Sequence, residues 1–331
     1  MDYDLLARLR PELGTLKAYT VSASVPAIKL DANESPFELP EAVRRDLSAG
    51  PVPLDAARLL LGVGSDEVIT MLMNALSTPG PGGAPAGVVF PSPTFVMYDV
   101  TARAHGLRPL PVPMSADFRF DEVAAALALR PALAFYVTPN NPTGRPIADE
   151  VLRRLIEAAP QTLHVIDEAY GPFERAPDGP AKTRRDWADE YPNVAVMGTL
   201  SKVGLAGLRI GYLYAGETLI HELQKVRQPF NLNTPAQAIA THLLTHHATL
   251  LESHVRSIVT ERARMFDALS PRSPIPSMAN FHLVKMSAER GAALRAAGIG
   301  VRIFGDEALK GWARITIGTP AENDALLAAL K

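Results

Sequence analysis

Val194-Ala195-Val196-Met197-Gly198-Thr199-Leu200-Ser201-Lys202-Val203-Gly204-Leu205-Ala206-Gly207-Leu208-Arg209 carries a short apolar run into a loop where a lysine stands among small hydroxyl residues, glycines and an arginine. The amine of Lys202 can condense with an aldehyde, while Thr199, Ser201 and Arg209 are donors for a phosphate held beside it. An aldehyde and a phosphate on one small molecule point to pyridoxal phosphate (PLP). Taken alone the stretch also fits a surface lysine in a turn, so the neighbouring segments decide between the two.

Further apolar runs, Gly87 to Phe90, Ala134 to Val137, His164 to Ile166 and Ile210 to Tyr214, alternate with helical patterns. With Val194 to Met197 they predict an α/β fold: a mostly parallel central sheet with helices on both faces. Ligands on such sheets bind beyond the carboxyl ends of the strands. The informative loops fall there: Pro91 to Tyr98 after the first run, Thr138-Pro139-Asn140-Asn141-Pro142-Thr143-Gly144 after the second, and Asp167-Glu168-Ala169-Tyr170 after the third.

Asp167 directly follows an apolar run, where a carboxylate is partly desolvated and needs a positive partner or good donors. A protonated pyridine nitrogen is such a partner, and the pairing keeps a cofactor ring electron-poor. A carboxylate capping the next helix is the alternative. Tyr170 and Asn141 can both reach a ring hydroxyl, and Phe95 offers a flat face either for stacking on a ring or for packing in the core.

Gly62-Val63-Gly64-Ser65-Asp66-Glu67 opens a helix whose apolar residues Val68, Met71, Leu72, Ala75 and Leu76 share one face. Glycines ahead of a helix let the backbone approach a ligand closely. Free N–H groups at the helix start, with Ser65 as the expected N-cap, make an anion site suited to phosphate.

With 331 residues, 47% of them hydrophobic and 21% charged, the chain can bury a large core and is expected to form two domains. A net charge of -2 gives no footprint for nucleic acid or an anionic membrane. The absence of cysteine removes disulfides, thiolate metal sites and thiol catalysis, and the eight histidines show no metal-ligand spacing. The start, Met1-Asp2-Tyr3-Asp4, lacks the apolar core of a secretory signal, so a cytoplasmic protein is expected.

Residues 1–40 read as an arm and loop, 41–234 as a large domain, and 235–331 as a linking helix and a smaller α+β domain. The linking helix is expected over Pro235 to Ala268. Strands are expected at Asn280 to Val284, Gly300 to Ile303 and Ala313 to Ile317, with Glu322 to Leu330 as the closing helix.

Asn33-Glu34-Ser35-Pro36, Gly64-Ser65-Asp66-Glu67, Asn140 to Gly144, Asp167 to Tyr170, Ser201-Lys202 and Arg314-Ile315-Thr316-Ile317-Gly318-Thr319-Pro320 occur in an order and spacing that resemble the fold-type-I, class I/II PLP-dependent aminotransferases. Nearly the whole chain is covered, and the closest likeness is to the branch that acts on histidinol phosphate. The resemblance implies Lys202 as Schiff-base lysine and general base, Asp167 as partner of the pyridine nitrogen, and Asn141 and Tyr170 on the ring oxygen. It places the phosphate on Gly64, Ser65, Asp66, Thr199, Ser201 and Arg209, and puts Phe95 where a stacking tyrosine usually stands. Arg314 matches the arginine that receives a substrate carboxylate, and Tyr19 and Asn33 match arm and loop positions near the substrate; Arg302 is a second candidate for the substrate anion, with a solvated strand-end charge as the alternative. It further implies L-histidinol phosphate as amino donor, 2-oxoglutarate as acceptor, and a homodimer.

Two departures from the family pattern stand out. Ser48 to Leu61 is shorter than the family's segment there and lacks the tyrosine that reaches a neighbouring subunit's cofactor phosphate, which implies weaker PLP binding. Arg209 follows Lys202 by one residue fewer than in many relatives. The same motifs are shared by aromatic amino acid aminotransferases and by decarboxylases of threonine phosphate, and the shortened segment also leaves open a non-catalytic scaffold that binds PLP weakly.

Overall fold

Runs that are apolar at every position, such as Leu133-Ala134-Phe135-Tyr136-Val137, become strands buried on both faces. The computed structural model of the chain describes residues 27–30, 33, 58–76, 84–120 and 131–331. It begins with strand β1 (Ile28–Leu30), which joins a four-stranded sheet, and then builds a seven-stranded sheet from β2 (Leu59–Val63), β3 (Gly87–Ser92), β4 (Arg108–Pro113), β5 (Leu133–Val137), β6 (Leu163–Asp167), β7 (Val194–Thr199) and β8 (Ile210–Tyr214). The spatial order is β2-β8-β7-β6-β5-β3-β4. Strands β4, β3, β5, β6 and β7 run parallel to one another, and β8 runs antiparallel to both β7 and β2.

Alternate strand residues feed two cores. Phe135, Val137, Val165, Ala195 and Met197 pack on one face with α1 (Gly64–Ala75) and α2 (Met97–Ala104). Ala134, Tyr136, Ile166, Val194 and Val196 pack on the other with α3 (Asp149–Ala158) and α4 (Trp187–Glu190). This double burial explains why the strands read as continuous apolar runs rather than as alternating ones. It also gives the layered α/β arrangement expected, with α5 (Glu217–Gln224) adding Ile220 and Leu223 to the first core.

The linking region is two helices rather than one: α6 (Thr234–His246) and α7 (Ala248–Ala268) meet at His247. The two halves bury different faces. Ala236 and Ala240 of α6 pack with Ile210 and Leu232, whereas Val255, Ile258, Val259 and Met265 of α7 pack with Phe173 and the smaller sheet. A single straight helix would have to present both stripes along one axis.

The smaller sheet contains β9 (Phe281–Lys285), β10 (Ile299–Ile303) and β11 (Trp312–Thr316), with α8 (Ala288–Ala296) between the first two. Its order is β1-β10-β11-β9, with β1 parallel to β10. Lys29-Leu30, expected in a loop, therefore belongs to a strand. Helix α9 (Pro320–Leu330) starts two residues earlier than its apolar pattern suggests, because Thr319 caps it and forms a capping box with Glu322 of its first turn. Among the described residues, no helix is long and apolar enough to cross a membrane.

Candidate active site

The carboxyl ends of β5, β6 and β7 converge, and Val137, Asp167 and Met197 lie side by side in register across them. Asp167 is the last residue of β6 and is 3% exposed. Its Oδ1 accepts from the Ala169 amide at 2.8 Å and its Oδ2 from the Tyr98 hydroxyl at 2.5 Å. Burial pushes the carboxyl up to about 6 against these two hydrogen bonds, which pull it down.

Beside it, β7 ends in Thr199, whose side chain accepts the Ser201 amide at 3.1 Å and starts the turn that carries Lys202. The Lys202 amine lies 5.7 Å from the centre of the Tyr170 ring. Arg209 ends this loop with a left-handed backbone, φ 52°. Its carbonyl accepts the Gly64 amide at 2.9 Å and its guanidinium pairs with Asp66 at 3.0 Å.

That contact brings the start of α1 against β8, and two glycines permit it. A Cβ on Gly211 would lie 2.3 Å from Gly64 C and Ser65 N; a Cβ on Gly64, where φ is +73°, would lie 2.6 Å from Arg209 Nη2. The start of α1 thus lies against the end of the lysine loop, and its Gly64 amide, which no intrahelical carbonyl can reach, is taken by the Arg209 carbonyl. Ser65 is not the N-cap expected. The helix begins two residues earlier than that cap requires, Val63 takes the cap position, and the Glu67 carboxylate reaches back to the Val63 amide at 2.6 Å, leaving the Ser65 side chain on the cavity wall.

A cavity of about 150 Å³ collects Asn33, Ser65, Asp66, Phe95, Asn141, Asp167, Tyr170, Thr199, Ser201, Lys202, Arg209 and Arg314 on its walls. Gly64 lies behind the Arg209 guanidinium. Phe95 both lines this cavity and packs on the core, its ring edge-on to Tyr98 at 5.8 Å. A larger cavity of about 930 Å³ shares Phe95, Asn141 and Arg314 and adds Arg302, Phe304 and Asp306. Tyr19 lies outside the described residues, as does most of the shortened segment from Ser48 to Leu61.

The smaller sheet contributes two arginines to the cleft. Arg314, 9% exposed, donates to Asn141 Oδ1 at 2.6 Å. Arg302 stands directly opposite Arg314 on the neighbouring strand. Like charges opposed across a strand pair are destabilising on their own, so two arginines on one cavity suit an anionic ligand. Asn33, at φ 55°, is held by Thr316 and Asn280, and its Nδ2 donates to the Tyr170 hydroxyl at 3.0 Å.

A buried carboxylate, a lysine amine and an anion cradle of amides, hydroxyls and a guanidinium around one small cavity suit a ring with a cationic nitrogen, an aldehyde and a phosphate. Residues 28–330 match the family described as aminotransferase class I and II. The chain belongs to the class I and II aminotransferases. It is 36% identical to a histidinol-phosphate aminotransferase of Methylibium petroleiphilum, covering 98% of this chain and 95% of that one. The figures for a histidinol-phosphate aminotransferase of Chromobacterium violaceum are 36%, 98% and 97%. Among solved structures, histidinol-phosphate aminotransferase from Sinorhizobium meliloti in complex with pyridoxal-5'-phosphate superposes with a TM-score of 0.84 at 25% identity, over 99% of this chain and 97% of that one. The Methylibium alignment runs over 365 positions, so that relative carries residues this 331-residue aminotransferase lacks.

Three residues that support the aminotransferase cleft were given no role by the sequence. Tyr98 reaches Asp167 from 69 positions away, and Thr316 and Asn280 hold Asn33 from the far end of the chain. Each is a neutral polar residue inside or beside an apolar run, and only the fold supplies its partner.

Proposed function

We propose that this aminotransferase uses PLP to move the amino group of L-histidinol phosphate to 2-oxoglutarate, giving imidazole acetol phosphate and L-glutamate in histidine biosynthesis. The observation that carries the substrate reading is the cross-strand pair Arg302 and Arg314 on the larger cavity, next to the lysine site. One guanidinium fork can take either a phosphate or a carboxylate in two-point fashion, which suits a phosphorylated donor and a dicarboxylate acceptor that use the cleft in turn. Relatives of the same name, matched over nearly their full length, support the choice.

When bound, PLP supplies an aldehyde for the amino group and an electron-withdrawing ring for the electron pair left on the donor carbon. Lys202 Nζ would hold the cofactor, and its free amine would move the proton at the donor carbon. The Asp167 carboxylate keeps the ring nitrogen protonated, and Asn141 and Tyr170 donate to the ring oxygen. The first-turn amides of Ser65 and Asp66, with Thr199, Ser201 and Arg209, bind the phosphate, while Phe95 covers the ring. Tyr19 and Asn33 complete the substrate side. We assign residues 1–40 to the arm and loop, 41–234 to the large PLP-binding domain and 235–331 to the linking region and small domain. The working form is a cytoplasmic homodimer.

The test is a panel of amino donors with 2-oxoglutarate, scored for glutamate and for carbon dioxide. Glutamate formation with L-histidinol phosphate at the highest kcat/KM is expected. Preference for phenylalanine, or carbon dioxide from threonine phosphate, would replace the substrate while keeping the cofactor; no product from any donor would point to a scaffold.

A further inference from the structure

One fully buried polar group near the cleft has no part in the proposed function. Tyr98, on α2, has no exposed surface. Its ring stacks on Phe135, centroids 4.6 Å apart with planes at 20°, and packs against Phe90 and Phe95 at 6.1 and 5.8 Å. Phenylalanine would fill this aromatic cage without the cost of desolvating a hydroxyl, so a tyrosine here implies a use for the hydroxyl. The hydroxyl reaches Asp167 Oδ2 at 2.5 Å, while the Ala169 amide takes Oδ1 at 2.8 Å.

From this geometry we infer that Tyr98 is a positioning residue of the aminotransferase cleft: with the Ala169 amide it clamps one oxygen each of the Asp167 carboxylate, aims it, and keeps it ionised against its burial. The inference rests on the proposed reading of Asp167 as the partner of the cofactor's ring nitrogen. Tyr98 is not on the cavity wall, so it acts through Asp167. The other charged or titratable groups facing this pair are Asp66 on α1, Lys202 after β7, Tyr170 after β6 and Tyr212 on β8. Asp66 raises the proton affinity of Asp167 and Lys202 lowers it, both by charge from a distance, and neither hydrogen-bonds to the carboxylate. Among the described residues, only Tyr98 and the Ala169 amide combine contact with direction.

Tyr98→Phe keeps the stacked ring and removes the bond. Phe135→Leu is the control, because it loosens the same cage and leaves the hydroxyl. The protonated-carboxyl infrared band of the PLP-free chain, assigned by its loss in Asp167→Asn, is followed against pH. The visible absorbance of the PLP-loaded enzyme is followed in parallel, with kcat and KM. In Tyr98→Phe the carboxyl band should persist to higher pH by about one to two pH units, the value of one hydrogen bond to a charged group. The loaded enzyme's spectrum should titrate at a different pH, and kcat should fall about tenfold or more with little change in KM. Phe135→Leu should lose stability and move neither titration. An unmoved infrared and visible titration in Tyr98→Phe overturns the inference. A wild-type chain that takes up no PLP would sink the proposed function instead, and the infrared titration would still decide whether Tyr98 governs Asp167.

Discussion

Alanine at Gly64 and at Gly211 separates the two demands made on the phosphate end of the cleft. At Gly64 the added Cβ must adopt φ +73°, a left-handed conformation that costs an ordinary residue about 1–2 kcal/mol. It must also displace the end of the Arg209 side chain, 2.6 Å away. That guanidinium is half-exposed and can swing out, and its pair with Asp66 contributes little to stability in so open a setting. The fold therefore loses about 1–2 kcal/mol, while phosphate binding loses a charge-assisted hydrogen bond of about 1.5–3 kcal/mol, or ten- to a hundred-fold in Kd.

At Gly211 the clash is with Gly64 C, Gly64 O and Ser65 N, at 2.3 to 2.6 Å. These are backbone atoms with no rotamer to escape to. The start of α1 must move off β8, at a cost of about 3 kcal/mol or more, the upper part of the overpacking range. Denaturant unfolding of the PLP-free chain should rank Gly211→Ala below Gly64→Ala in stability. PLP titration should show Gly64→Ala weakened by more than its stability loss. Wild-type PLP affinity in Gly64→Ala would remove Arg209 from the phosphate site, and wild-type stability in Gly211→Ala would refute the close approach of helix and strand.

Borohydride treatment of the PLP-loaded enzyme should place the pyridoxyl group on Lys202, and peptide mapping that finds it on Lys225 or Lys182 would overturn that assignment. Burial raises the Asp167 carboxyl from 3.8 to about 6, so its charge costs the PLP-free fold up to about 3 kcal/mol above pH 6, a cost relieved as pH falls through 6. PLP-free Asp167→Asn should accordingly be the more stable protein at pH 8, with the difference shrinking toward pH 4 and turnover largely lost; equal stability at pH 8 would count against the burial argument. Arg314→Ala should cost about 2–5 kcal/mol in both half-reactions. Undamaged handling of histidinol phosphate would move its phosphate elsewhere.

The parts of the cleft that sequence reveals are those at strand ends. Lys202, Asp167 and Asn141 follow apolar runs, and a doubly covered parallel sheet puts such positions together. What stays hidden depends on distant partners. Strand β4 contains Pro109, Pro111 and Pro113, which argue against a strand until the fold shows it at the sheet edge, where missing amides are tolerated. Strand β1 has three residues, and its partner β10 lies at the other end of the chain. Ser65 has the composition of an N-cap and misses the position by two residues, because Glu67 and the left-handed Gly64 start the helix early. Tyr98 looks like core, and is core, except for one oxygen.

The neutral residues set the polarity of the cleft. Arginine can only donate, so the atom of Asn141 that meets Arg314 at 2.6 Å must be the amide oxygen, and the Nδ2 is left as a donor for the cavity. The Thr316 hydroxyl accepts the Asn33 backbone amide at 3.0 Å, which frees its own proton for Asn33 Oδ1 at 2.8 Å. Asn33 Nδ2 therefore donates to Tyr170, whose oxygen, having accepted at 3.0 Å, keeps its own proton to give. Two chains of hydrogen bonds, one from Arg314 and one from Thr316, both on β11, thus turn Asn141 and Tyr170 into donors. Donors are what an ionised ring oxygen requires, whereas the proton of a neutral hydroxyl there would face two donors and no acceptor. If Asn141 and Tyr170 meet the ring oxygen as proposed, the smaller sheet would favour the ionised form of a ring held by the larger one, and substitution of Thr316 would reach the cofactor through Asn33 without touching it.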